Sequence, residues 1–271
     1  MMNYKELISN KRSVREFKNK EVKKSDFDSI IEYISNSKRL LPNISIYIKV
    51  FSKDDAYSKL NKIAGYNGHM IEAPYYIIIL SEAKEGYIEN SGYVGEHLTL
   101  KARDLGIDSC WVTFENSCLI KERLGIVSNK DITAILALGY GDVGTSKSSK
   151  NSSERLSVDK IVYLDEWGNS TSLEVLEERG LLDAFSFATM APSTLNRQPW
   201  RFIVDGGKVV LVVRKDEFAS TYEGKIDVGI SMLYFGVIID TTMFDLKWNI
   251  GKIDKDYKIP ADYEIVGYCN I

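Results

Sequence analysis

Apolar positions recur along the chain with two periods, and each period predicts its own kind of element. Residues 4–9 predict a short helix. From Ser25 on, Phe27, Ile30, Ile31 and Ile34 keep the spacing of one buried helical face, with Asp28 three residues after Ser25 as a weak capping box. The runs at 44–51 and 74–80 predict strands, with a helix at 56–63 between them and a turn at 65–68, Gly-Tyr-Asn-Gly. A second amphipathic helix is predicted over 91–105, ended by Gly106. Residues 109–114 lead into an irregular stretch, 119–124 predict a short helix, and 132–138 predict a buried strand closing on Gly139-Tyr140-Gly141.

Residues 144–153, GTSKSSKNSS, lack apolar side chains and predict a linker or loop. The pattern then resumes, with a helix over 173–189 and strands at 201–204 and 209–213 joined by Asp205-Gly206-Gly207. A helix over 228–246 and a strand at 263–267 follow. Gly92 precedes Trp111 by 19 positions, and Gly229 precedes Trp248 by the same number. The halves also end alike, Leu138-Gly139-Tyr140-Gly141 against Val266-Gly267-Tyr268-Cys269. These matches predict an α+β protein built from two related halves, 1–150 and 151–271, packed as a dimer packs. Chance likeness of two α+β segments is the alternative.

Composition narrows the function. With 44% hydrophobic and 27% charged residues, the 271-residue chain has a globular composition, and a net charge of -3 offers no general field for nucleic acid. The first 17 residues have no apolar core behind their charges, and the longest apolar runs fall far short of the roughly 20 residues that span a bilayer. A cytoplasmic protein with no membrane partner is expected. Three cysteines without a CxxC and two isolated histidines predict neither a metal site nor a side-chain nucleophile.

Two stretches carry candidate chemistry. In Lys11-Arg12-Ser13-Val14-Arg15-Glu16-Phe17 an extended backbone would turn Ser13 and Arg15 to one face, a hydroxyl and a planar guanidinium suited to phosphate. A solvated basic turn is the plainer reading. Residues 190–202, MAPSTLNRQPWRF, crowd Ser193, Thr194, Asn196, Arg197 and Gln198 between a helix and a strand. Prolines that end one element and open the next would also explain that stretch.

Taken together these motifs resemble the FMN-dependent nitroreductase family, in the branch where two nitroreductase-like halves are fused. Residues 12–17 resemble its RRSxRxF, 191–202 its APSxxNxQPWRF and 105–111 its GLGTCW; Arg155 and Asp227-Val228-Gly229 also find counterparts. The resemblance implies a pseudo-dimer that is functional as a monomer and holds one FMN per chain. The first half has Ser37-Lys38-Arg39-Leu40-Leu41-Pro42-Asn43 where its own proline-asparagine edge would stand, so a second site is not expected.

Carried over, Arg12, Ser13, Arg15 and Arg155 hold the phosphate and ribityl end, with Arg155 grouped with the first half. Pro192, Ser193, Thr194 and Asn196 close over the cofactor. Trp111, Val112, Thr113 and Phe114 run beside the isoalloxazine, with a backbone N–H near Phe114 reaching the flavin N5. Phe114 stands where the family has glycine, and His69 falls near the place of its basic residue at the pyrimidine. The implied activity is hydride transfer from NAD(P)H through FMN to a small-molecule acceptor, a nitroaromatic or quinone, with no catalytic side chain because the flavin carries the chemistry. The alternative is an FMN-binding or sensing protein with little turnover.

Overall fold

A computed structural model describes residues 2–142, 154–215 and 221–271. The stretch 144–153 lies outside the described residues. In order come α1 (Tyr4–Asn10), α2 (Lys24–Asn36), β1 (Ile46–Ser52), α3 (Lys53–Leu60), β2 (Tyr75–Ser81), α4 (Tyr87–Asp104), β3 (Asp108–Val112), α5 (Ser117–Leu124) and β4 (Asp131–Gly139). They are followed by α6 (Val158–Ile161), β5 (Val162–Leu164), α7 (Leu173–Glu178), α8 (Leu182–Ala188), β6 (Trp200–Asp205), β7 (Lys208–Arg214), α9 (Thr221–Asp240), β8 (Trp248–Ile250) and β9 (Tyr263–Asn270). The chain divides into two compact units, Met1–Asn3 with Asn10–Asn151, and Tyr4–Ser9 with Ser152–Ile271.

The first unit is built on an antiparallel sheet in the order β1-β2-β4-β3. One face packs Phe27, Ile30 and Ile34 of α2 and Val94, Leu98 and Ala102 of α4 over Ile77, Ile79 and Leu136. The other packs Ala56 and Leu60 of α3 and Ile120 and Leu124 of α5 over Tyr76, Ile78 and Ile135. Covered on both faces, β2 is buried from Tyr76 to Ser81, and this explains its unbroken apolar run.

The second unit repeats the ladder. Its sheet runs β5-β6-β7-β9-β8, with β5 parallel to β6 and the other pairs antiparallel. Leaving out β5, each unit has an antiparallel strand pair, a long helix and two more strands in one spatial order. Each ladder also carries a bulge at one place: Thr133 is the extra residue opposite Ile79/Leu80, and Val266 the extra residue opposite Leu211/Val212. With the bulges aligned, Trp111 opposite Leu136 corresponds to Trp248 opposite Cys269.

That register corrects the likeness read at the two ends, because Gly267 corresponds to Ala134 and not to Gly139. The two glycines answer different crowding. A Cβ at Gly139 would meet Pro74 Cδ at 2.7 Å, whereas one at Gly267 would meet Met232 Cε at 2.6 Å and Asn249 O at 2.7 Å.

Other departures are local. Lys23 is the N-cap of α2 and no side chain caps it, so Ser25 lies inside the helix. Ile31 is 37% exposed while Ile30 is buried, which narrows the apolar stripe. The helix expected over 173–189 breaks into α7 and α8 at Gly180, whose φ of +70° is left-handed. The last long helix begins at Thr221 and stops at Asp240. Of residues 109–114, those up to Val112 belong to strand β3, and the irregular stretch expected after them runs to the start of α5. The short β5 and β8, three residues each, have no pattern long enough to read.

Candidate functional site

In the first unit, residues 13–17 are extended along the sheet edge. Ser13 bridges Ser109 of β3, the Val14 N–H donates to Ser109 O at 3.0 Å, and Phe17 bridges Gly141. Arg12, Ser13 and Arg15 are exposed, while Val14 and Phe17 turn inward and are half-buried. The alternation expected of an extended segment therefore places a hydroxyl and a guanidinium on the same side. Arg15 has no hydrogen bond or ion pair among the described residues. It lines an open cleft of about 350 Å³ with Lys18, Lys53, Glu72 and Asp142.

The neighbouring Lys11 is pulled inward. Its Nζ lies 2.9 Å from Glu96 Oε1, both side chains being buried, and Glu96 Oε2 accepts the Trp111 indole N–H at 2.8 Å. One carboxylate of α4 thus ties the basic segment to β3. Trp111 lies over Gly95, where a Cβ would come within 2.6 Å of its Cη2. Beneath the motif, burial pushes the Cys110 thiol up, with the charges of Arg15 and Lys11 pulling the other way.

Beyond β3 the chain meets the turn that carries His69. The Gly65 N–H donates to Thr113 O at 2.7 Å, and Ala64 bridges Phe114. Gly65 has φ +91°, and a Cβ there would lie 2.0 Å from His69 O, so only glycine closes this turn. The Phe114 ring packs against the core beside α3 and α5. The structure therefore places Trp111 and Val112 on β3 with Thr113 and Phe114 directly after it, and Arg12, Ser13 and Arg15 on the extended segment beside it.

The second unit contains the proline-asparagine edge, and here the backbone is strained. Leu195, Asn196 and Gln198 have φ of +54°, +55° and +48°, a region that costs a non-glycine residue about 1–2 kcal/mol. Hydrogen bonds hold it there. The Thr194 N–H donates to both carboxylate oxygens of Asp227, at 3.1 and 3.2 Å, and Arg197 reaches the same carboxylate at 3.3 Å. Arg197 Nε also donates to Thr194 O, and the Gln198 N–H donates to Ser193 Oγ at 2.9 Å.

Arg155, expected with the first group, belongs to the second unit, and its guanidinium donates to Ala191 O at 2.7 Å. Gln198 brackets it: the carboxamide donates to Glu154 O at 2.9 Å and accepts from the Leu156 N–H at 2.8 Å. Asn196 Nδ2 donates to Glu154 O as well. Ser193 Oγ thus serves the edge itself, while Asn196 Nδ2 ties the edge to Glu154.

Asp227 is fully buried on α9, and burial pushes its carboxyl up to about 7; the Thr194 N–H and Arg197 oppose that rise and Glu223 adds to it. Sequence reading named Asp227 and Gln198 only as parts of motifs, and it missed Glu96. Each of the three acts on a partner distant in the chain, a relation no local spacing encodes.

Two α+β units with one ladder order, a basic segment beside β3 and a strained edge before β6 define the nitroreductase class of fold. The family model described as "Putative TM nitroreductase" matches residues 3–239. The chain belongs to that family, which places it among the nitroreductase-type oxidoreductases.

Among solved structures, the chain is similar to "a putative nitroreductase" from Thermotoga maritima MSB8, at 19% identity and a TM-score of 0.62, over 100% of this chain and 94% of that one. It is also similar to a nitroreductase with bound FMN from Bacteroides fragilis NCTC 9343, at 20% identity and a TM-score of 0.46, over 58% of this chain and all of that one. An FMN-dependent nitroreductase from Clostridium difficile R20291 aligns at 22% identity and 0.44, over 50% of this chain and 86% of that one. No curated protein matches. Among the described residues no helix is long and apolar enough to cross a membrane.

Proposed function

We propose that the chain is an FMN-dependent oxidoreductase that passes hydride equivalents from NAD(P)H to an electron-poor small molecule, a nitroaromatic or a quinone. The observation that carries this reading is the basic segment of the first unit. Arg12, Ser13 and Arg15 are exposed donors on a backbone held to β3, and the buried Lys11–Glu96–Trp111 link fixes them relative to residues 111–114. Two guanidiniums and a hydroxyl fit a phosphate and a ribityl chain.

Arg12, Ser13 and Arg15 bind the phosphate end, and Trp111, Val112, Thr113 and Phe114 border the planar ring. Arg155, Pro192, Ser193, Thr194 and Asn196 are the second unit's candidate FMN-binding residues. Bound FMN supplies the hydride acceptor and donor, so no side-chain acid or base is required. The repeated strand order, the repeated bulge and the paired tryptophans support an internal duplication, with 1–150 and 151–271 as its halves. A chain that contains both halves is expected to act as a monomer.

Titration with FMN, followed by quenching of flavin fluorescence, should saturate at one FMN per chain. Replacing Arg12 and Arg15 together by Ala should weaken binding at least about a hundredfold, since each charge-assisted contact contributes about 1.5–3 kcal/mol. A protein that takes up no FMN overturns the proposal. Phe114 packs on the core, and this favours turnover over the alternative of a sensing protein whose pocket Phe114 blocks. Steady-state NAD(P)H oxidation with a nitroaromatic separates the two.

A further inference from the structure

We propose that Asp227 is the positioning residue of the 193–198 edge: its ionised carboxylate holds the edge in its left-handed conformation, and FMN affinity therefore weakens as pH falls through neutrality. The flavin part of this inference rests on the function proposed above.

One buried carboxylate gathers the Thr194 N–H and Arg197, the two groups that flank left-handed Leu195 and Asn196. Leu195 is also exposed, so no burial of its own side chain offsets the strain. The carboxylate ties both flanks of the turn, while Asn196 Nδ2 is held separately by Glu154 O.

The first half of the chain carries a counterpart of this carboxylate. Asn90 lies two residues before Gly92 in α4, as Asp227 lies two before Gly229 in α9, and Asn90 Oδ1 accepts the Leu41 N–H at 2.9 Å ahead of β1. The same tether therefore exists with a neutral carboxamide. No non-glycine residue from 37 to 45 has positive φ, against three between 195 and 198. Acid, arginine and left-handed turn occur together on the edge that carries the proline-asparagine motif.

Charge completes the case. Arg197 faces the carboxylate from the edge, and Glu223 acts on it from the first turn of α9 itself. α8, which packs on α9, buries Ala184, Phe185 and Ala188, and its one acid, Asp183, is exposed and paired with Lys5. With the carboxyl raised to about 7 by burial, the ionised fraction falls about tenfold between pH 8 and pH 6. If only that form presents the edge, the apparent Kd for FMN rises by about the same factor.

The test compares the full chain with Asp227→Asn, which keeps one acceptor for the Thr194 N–H but cannot pair with Arg197. FMN titrations at pH 6 and pH 8 should show about a tenfold change for the parent beyond that of the variant. Any dependence from the FMN phosphate is common to both and cancels in the ratio. At pH 8 the variant should bind more weakly than the parent.

Amide hydrogen exchange of residues 193–198 in flavin-free protein, corrected for the intrinsic effect of pH, gives a readout that does not need FMN. Protection at Thr194 should drop from pH 8 to pH 6 in the parent and stay level in the variant. Equal exchange profiles in the two proteins overturn the inference. Altered exchange with equal Kd profiles overturns its flavin part, and a parent that binds no FMN overturns the proposed function while exchange still decides the role of Asp227.

Discussion

The indole N–H of Trp111 ends on Glu96, whose other carboxylate oxygen holds Lys11. A charged pair buried this deeply is sensitive to the loss of either member, since the survivor is left uncompensated. Glu96→Ala should therefore destabilise the protein by about 3–5 kcal/mol in urea unfolding. Leu233 stands at the corresponding place in the second half, 19-residue spacing for spacing. Glu96→Leu combined with Lys11→Met should recover much of that loss, and a double change no milder than Glu96→Ala would refute the pairing.

Gln198 fixes Arg155 by bonding to the backbone on either side of it. Gln198→Ala leaves the Leu156 N–H without this partner and Glu154 O with Asn196 Nδ2 alone of the two donors, a loss of about 1–3 kcal/mol. FMN binding should weaken along with stability. Gln198→Glu, which keeps the shape but loses the donor to Glu154, should fall between the two in calorimetry.

The His69 turn depends on Gly65. With φ at +91° and the His69 carbonyl where a Cβ would sit, Gly65→Ala should cost at least about 2 kcal/mol and loosen the turn from Thr113. Amide exchange at Gly68 and His69 would report the loosening. An alanine variant with parental stability and exchange would show that the turn is not closed this way.

Two buried groups set opposing pH dependences. His97, held among Tyr33, Tyr93 and the Lys38 backbone, is lowered by burial to about 4. The unfolded chain binds its proton first, so stability is lost as pH falls from about 6.5 to about 4, by on the order of 3 kcal/mol. Asp227 works the other way: raised in the folded state, it holds its proton there and lowers stability as pH climbs from about 4 to about 7. In an Asp227→Asn background the acid loss should stand out, and His97→Phe should remove it. Urea unfolding at pH 5 and pH 7 measures both.

Much of this protein follows from local order in the sequence. The 3.6-residue period of α2 and α4 and the apolar runs of β2 and β4 depend on neighbours in the chain, so composition and spacing expose them. The basic segment and the proline-asparagine edge were visible for the same reason, as were Gly92 and Gly229 at equal distances from their tryptophans. Tertiary structure decided what those stretches are fastened to. Asp227 is 33 residues from Thr194, Gln198 is 42 from Leu156, and Glu96 is 15 from Trp111, so each pair meets only once the sheets have formed. The bulges at Thr133 and Val266 likewise exist only between paired strands, and they replaced the look-alike ends with the true register. Periodicity reports which face a residue turns inward. Only folding determines which buried group meets it there.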